Sequence, residues 1–214
     1  MSELTLVLGN KAYSSWSLRP WLALRKTGAP FREVVIPLNR PETKASIRAY
    51  SAAGKVPVLR DGALTVWDSL AICEYLAERF PAARLWPEAP VVRALARSVA
   101  AEMHAGFVDL RRSMPMDLKR VPALREPTPE AAVDIARITG LWRELRASHG
   151  AGGPFLFGGF SIADAMYAPV CTRLRAYGVA LDAVSAAYVE AVYADPDMAA
   201  WVEAGRAEPW VIAY

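Results

Sequence analysis

Near residue 81 the chain changes pattern: apolar runs alternate with helical periodicity before it, and only helical periodicity follows. Leu4–Leu8 is a short continuous apolar run and reads as a buried strand. Leu18, Trp21, Leu22 and Leu24 follow at helical spacing, and Gly28 supplies a stop. FREVVIP, Phe31–Pro37, is β-rich and reads as a second strand. PETKASIRAY reads as a short, charged, helical crossover. VPVLRDGALTVW reads as two brief strands about an Asp61-Gly62 turn. DSLAICEYLAERF reads as a helix capped by Asp68, with Leu70, Ile72, Cys73, Leu76, Ala77 and Phe80 at its apolar positions. The order β-α-β-α-β-β-α predicts a small sheet with helices on both faces over residues 1–81.

PAARLWPEAP carries three prolines and reads as a linker over 82–90. Helices are then predicted over Val91–Met114, Pro129–Ser148, Ile162–Tyr177, Ala183–Ala194 and Met198–Gly205, so that 91–214 forms an all-α domain. The fold class is therefore α/β plus all-α. Ser161 and Asp164 fit a capping box, a folding signal rather than a chemical one.

The charge balance is 25 basic to 22 acidic residues, interspersed, with no stripe for nucleic acid. No apolar run approaches the ~18 residues of a membrane span. The opening MSELTLVLGN does not fit a signal peptide, and the expected location is cytoplasmic. Cys73 and Cys171 lie in separate apolar helical stretches and read as reduced core thiols. His104 and His149 lack metal-ligand spacing, and no metal is expected.

Three stretches carry candidate chemistry. NKAYSSWSLRPW follows the first strand and holds Ser14, Ser15 and Ser17 with no His or Cys to activate them. With Ser17 as N-cap, Pro20 falls within the first turn and costs no hydrogen bond; an earlier start would bend the helix at Pro20. In GKVPVL, Pro57 belongs at a strand beginning. A cis bond there would present the Val56 backbone to an extended ligand, and a trans bond would not; the pattern leaves both open. In WDSL, Asp68 and Ser69 open a helix, where capping and carboxylate binding are both served.

Taken together, the serine loop, VP before the third strand, DS opening the next helix and SIAD in an all-α second half resemble the cytosolic glutathione transferases. The resemblance spans essentially the whole chain. SSWSLRPW is most similar to the zeta-class signature S-S-C-S-x-R: Ser14, Ser15, Ser17 and Arg19 match, and Trp16 replaces the cysteine. The resemblance implies a thioredoxin-like first domain that binds glutathione and a helical domain that receives a small electrophile. It implies Ser14, with Ser15 second, as the hydroxyl that stabilises the glutathione thiolate. It implies contacts from Ser17, Arg19, Lys55, Val56, Pro57 (cis), Asp68 and Ser69. It also implies a homodimer, with the helix Ser69–Phe80 and the start of Val91–Met114 at its interface.

Such a loop needs no nucleophile of its own, because the sulfur belongs to the ligand. A free thiol titrates near 8.5, and a hydroxyl donor, a helix N-terminus and a cation all favour S⁻. The electrophile pocket is expected between the serine loop and the first long helix, on Trp16, Met103, His104, Phe107 and Arg111. Two reactions fit: glutathione conjugation, and the zeta-class cis–trans isomerisation of maleylacetoacetate. A non-catalytic binding module would not need the serine loop. A disulfide oxidoreductase would need a loop cysteine, and the loop has none.

Overall fold

A computed structural model describes residues 3–212. Residues 1, 2, 213 and 214, the outer limits of the two expected domains, lie outside the described residues. The first strand, β1 (Leu4–Gly9), is buried along its whole length. It sits between β2 (Phe31–Ile36), parallel to it, and β3 (Val58–Asp61), antiparallel; β4 (Leu64–Trp67) closes the sheet in the order β2-β1-β3-β4. Side chains alternate across the strand. Leu4, Leu6 and Leu8 join a core with α1 (Ser15–Lys26) and α3 (Ser69–Arg79). Val7 faces the other way, into a small cluster with Ile36, Val58 and Ile47 of α2 (Thr43–Arg48). This is the small sheet with helices on both faces that the element order predicts, in the thioredoxin-like form that the resemblance implies.

The second half is helical: α4 (Pro90–Ala105), α5 (Val108–Ser113), α6 (Pro129–His149), α7 (Ile162–Ala176), α8 (Ala183–Ala194) and α9 (Pro196–Ala207). The capping box forms as expected, with Ser161 and Asp164 bonded reciprocally at the start of α7. Cys73 and Cys171 are buried free thiols.

The structure decides between the two starts open to α1 and corrects one expectation. Helix α1 begins earlier than a Ser17 cap allows: Ser14 is the N-cap and its Oγ accepts from the Ser17 amide at 3.3 Å. Pro20 therefore stands inside the helix, where it cannot donate to the Trp16 carbonyl. The helix expected over Val91–Met114 is two helices. Gly106 ends α4 in an extended conformation, and Phe107 takes a left-handed φ of 55° that turns the chain into α5. A Cβ at residue 106 would stand 2.8 Å from the Glu102 carbonyl, so glycine is required there.

The two halves share one core. Helix α1 packs on α3, α7 and α9, with the Trp21 and Trp201 rings 5.1 Å apart. Basic residues at the end of α1 meet acidic ones at the start of α9: Arg25 Nε is 2.8 Å from Asp197, and Lys26 Nζ is 2.6 Å from Asp195. Each set of charges also complements its own helix dipole. The connecting segment is anchored rather than loose. It includes a 3-10 turn at Pro81–Ala83, and it buries Leu85 and Trp86.

Candidate active site

Two helix N-termini, those of α1 and α3, are brought together beside the turn before β3. Between them lies a cavity of about 600 Å³ lined by Trp16, Ala53, Lys55, Val56, Pro57, Trp67, Asp68, Ser69 and His104. The Val56–Pro57 bond is cis.

Helix α3 opens on Asp68, which adopts φ 74° and caps the helix through Oδ1, accepting from the Leu70 and Ala71 amides at 2.9 and 3.2 Å. Its Oδ2 lies 3.2 Å from His104 Nε2 on α4. Ser69 is 1% exposed, and its hydroxyl has no partner among the described residues. A buried, unpaired hydroxyl on the wall of a cavity is open to a water or a ligand.

Helix α1 brings three serines to one end. Ser14 Oγ donates to Ser17 Oγ at 2.8 Å, and Ser17 Oγ also accepts from the buried Gly9 amide at 3.0 Å. Ser15 is the first helical residue, and its amide donates to the Tyr13 carbonyl. Ser14 and Ser15 are each 6% exposed, and neither they nor Ser17 and Arg19 are among the residues that line the cavity.

Trp16 forms a wall of the cavity. The Arg19 guanidinium stacks on its ring at 4.3 Å, Arg111 approaches at 5.4 Å, and His104 meets it edge-on at 5.4 Å. Arg19 is fully buried and none of its three guanidinium nitrogens has a partner among the described residues. Burial first, then the like charges of Arg173 and Arg111, push it down to about 9, which leaves it a cation at neutral pH. Burial also lowers the His104 imidazole; Asp68 opposes that shift, and Arg19 and Arg111 reinforce it.

The predicted electrophile pocket is only partly assembled. Trp16 and His104 line the cavity. Met103 and Phe107 are instead packed in the core: Met103 falls on the buried stripe of α4 with Ala96, Val99 and Ala100, and Phe107 leaves the helix at the break. Arg111 does not line the cavity; it meets two residues that do, the Trp16 ring and the His104 carbonyl. Ala53 and Trp67 were not singled out in the sequence. The signal for Trp67 was its place immediately before the Asp68 cap, and Ala53 carries no side-chain chemistry that could have marked it.

The N-terminal domain model of the glutathione S-transferases matches residues 13–79, and the C-terminal domain model of the same family matches residues 128–204. A "Probable maleylacetoacetate isomerase" of Caenorhabditis elegans is 33% identical over 96 residues, 45% of this chain and 44% of that protein. The glutathione S-transferase GstB of Escherichia coli strain K12 is 34% identical over 94 residues, 43% and 44% of the two chains. The chain thus spans about half the length of the curated relatives it matches. Over nearly its full length, it is similar to a crystal structure of a glutathione transferase homolog from Burkholderia with bound glutathione. There the TM-score is 0.73 at 26% identity, covering 96% of this chain and 100% of that one. A zeta-class maleyl pyruvate isomerase shares the fold with a TM-score of 0.74 at 22% identity, over 96% and 98% of the two chains. With both halves matched by models of one family and the whole arrangement shared, the chain belongs to the glutathione S-transferase family.

Proposed function

We propose that this chain is a glutathione transferase that holds glutathione as a thiolate for attack on a small electrophile. One observation carries the reading: the cavity between the starts of α1 and α3 is lined by Trp16 from the first turn of α1 and by Asp68 and Ser69 from the start of α3, and the buried Ser69 hydroxyl has no partner among the described residues. The cavity suits a short peptide with an anionic end and a sulfur. Ser69, the α3 N-terminus and Asp68 take the γ-glutamyl end, whose carboxylate and ammonium they complement. The Val56 backbone and Lys55 take the middle and the far carboxylate.

Bound glutathione supplies the sulfur nucleophile. Ser14 supplies a hydrogen bond to S⁻, with Ser15 as the competing donor. Ser17 supports Ser14 from behind: if the shared hydrogen moves so that Ser17 donates to Ser14, the Ser14 hydrogen is released for the anion. Arg19 adds positive potential through Trp16.

A second reading, isomerisation of an anionic substrate, is favoured by the charges around Trp16. Arg19 and Arg111 both lie on its ring, and Arg173 adds a further like charge to Arg19. Such a cluster suits an electrophile that carries carboxylate.

The chain is proposed to act as a cytoplasmic homodimer. Exposed Leu64 and Trp67 on β4 and exposed Val91 and Leu95 on α4 support that association. Among the described residues no helix is long and apolar enough to cross a membrane. Retention on immobilised glutathione tests the binding. Turnover of maleylacetone against that of a chlorodinitrobenzene separates the two reactions. Calorimetry that detects no glutathione binding at about millimolar concentration, an affinity near −4 kcal/mol, sinks the reading. A sedimentation mass near 23.4 kDa contradicts the dimer.

A further inference from the structure

The turn that carries Ser14 is finished by the far end of the chain. Asn10 closes one side of it, its carbonyl accepting from the Tyr13 and Ser14 amides at 3.1 and 2.8 Å. All four backbone polar groups of the two residues between are satisfied from the second half. Lys11 N–H donates to Glu208 Oε1 at 2.8 Å, and Ala12 N–H donates to Glu208 Oε2 at 3.2 Å. The Lys11 carbonyl accepts from Trp201 Nε1 at 3.0 Å, and the Ala12 carbonyl accepts from the Leu118 amide at 3.1 Å. Ala12 is fully buried, so without Glu208 its amide would be stranded away from water.

Glu208 is itself held in place. Lys119 Nζ donates to its carbonyl. Gly205, one turn earlier, allows α9 to press on the loop, since a Cβ there would stand 3.1 Å from the Ala12 nitrogen.

We propose that Glu208 is a positioning residue for the thiolate site: its carboxylate, forked across the Lys11 and Ala12 amides, sets where the Ser14 hydroxyl stands. The segment after α9 is on this view part of the reaction machinery. The proposal rests on the reading that Ser14 stabilises the glutathione thiolate. The chemistry explains why a glutamate is used. Two adjacent N–H donors need two acceptor oxygens. Glutamine offers one, and its NH₂ would face the second donor. Aspartate keeps both oxygens but falls one methylene short.

The test uses the full chain with Glu208→Gln, Glu208→Asp and Ser14→Ala. The readouts are glutathione affinity by calorimetry, thermal melting, and the titration of bound glutathione followed by thiolate absorbance. Glu208→Gln is expected to fold and to bind glutathione within about twofold of the native protein. Its bound thiol should titrate higher, so that turnover at pH 6.5 falls about three- to tenfold and largely recovers at pH 8.5, since one pKa unit is a tenfold change. Glu208→Asp should fall between. A purely structural role would lower the melting temperature and leave the titration where it was. A titration that shifts in Ser14→Ala but not in Glu208→Gln overturns this proposal alone. A Glu208→Gln protein that does not fold overturns it too, because the role is then structural. A native protein that binds no glutathione, or a titration that ignores Ser14→Ala, overturns the functional reading and this proposal with it.

Discussion

His104 Nε2 lies 3.2 Å from Asp68 Oδ2, so the second helical half touches the cap of the helix that opens the ligand cavity. The contact holds in the neutral state of His104, whose imidazole is depressed below the usual 6.5 by burial and by Arg19 and Arg111 against the pull of Asp68. An Nε2–H donor to Asp68 needs no positive charge. Because the folded chain binds this proton less readily than the unfolded one, the associated stability is present above 6.5 and is lost as pH falls below it. The melting temperature of the native protein is expected to drop more between pH 7 and 5 than that of His104→Gln. An imidazole NMR titration with its midpoint at or above 6.5 would contradict this.

Ser14→Ala is expected to raise the pKa of bound glutathione, and so to reduce turnover far more at pH 6.5 than at pH 8.5. It also removes the α1 cap, at a cost of about 1 kcal/mol. Ser15→Ala should shift the titration less. A shift in the Ser15 variant alone would move the thiolate role to Ser15.

Ser17→Ala should act through the fold, and through a different group than capping. It strands the buried Gly9 amide, at about 1–3 kcal/mol by urea unfolding. It also withdraws the support behind Ser14, so a small rise in the bound thiol pKa accompanies the loss.

Asp68→Asn and Asp68→Ala separate capping from ligand binding. Asparagine caps as well as aspartate and tolerates the left-handed φ of 74°. Its variant should melt close to the native protein but bind glutathione more weakly, having lost the charge opposite the ligand ammonium. Alanine should lose about 1 kcal/mol of stability in addition. Equal glutathione affinity in all three proteins would remove Asp68 from the site.

Asp164 is fully buried and accepts from the Leu156 and Ser161 amides, the Ser161 hydroxyl and the Tyr188 hydroxyl at 2.8–3.1 Å. Asp164→Ala strands these donors and should cost about 3 kcal/mol or more. Burial outweighs the hydrogen bonds and lifts the carboxyl from its usual 3.8 to about 6. A raised acid favours the folded state at low pH, so its contribution is complete below 3.8 and is lost as pH rises through about 6. Asp164→Asn, which cannot titrate, should flatten that part of the stability curve while being less stable throughout.

Much of the fold was local and therefore legible. The apolar run Leu4–Leu8, the Asp61-Gly62 turn, the Asp68 cap, the Ser161–Asp164 box and the sharp loss of strand pattern after residue 81 each state a short-range preference that the fold respects. The match of the serine loop, VP and DS to one family likewise needed only order and spacing. What proximity in sequence could not supply was decided by packing. Ser14 rather than Ser17 caps α1, because Ser17 Oγ is drawn inward by the Gly9 amide of the neighbouring strand. The helix after the linker breaks at Gly106, and Phe107 packs in the core there, while Met103 falls on the buried stripe of α4. Arg19 is fully buried with no hydrogen-bond partner among the described residues, a burial that no local pattern marks. Glu208 meets Lys11 and Ala12 across nearly the whole chain, a contact that exists only once α9 has docked on α1. Periodicity and capping act within a few residues and can be read along the chain. Burial and long-range hydrogen bonding depend on which surfaces meet, and those surfaces exist only in the folded molecule.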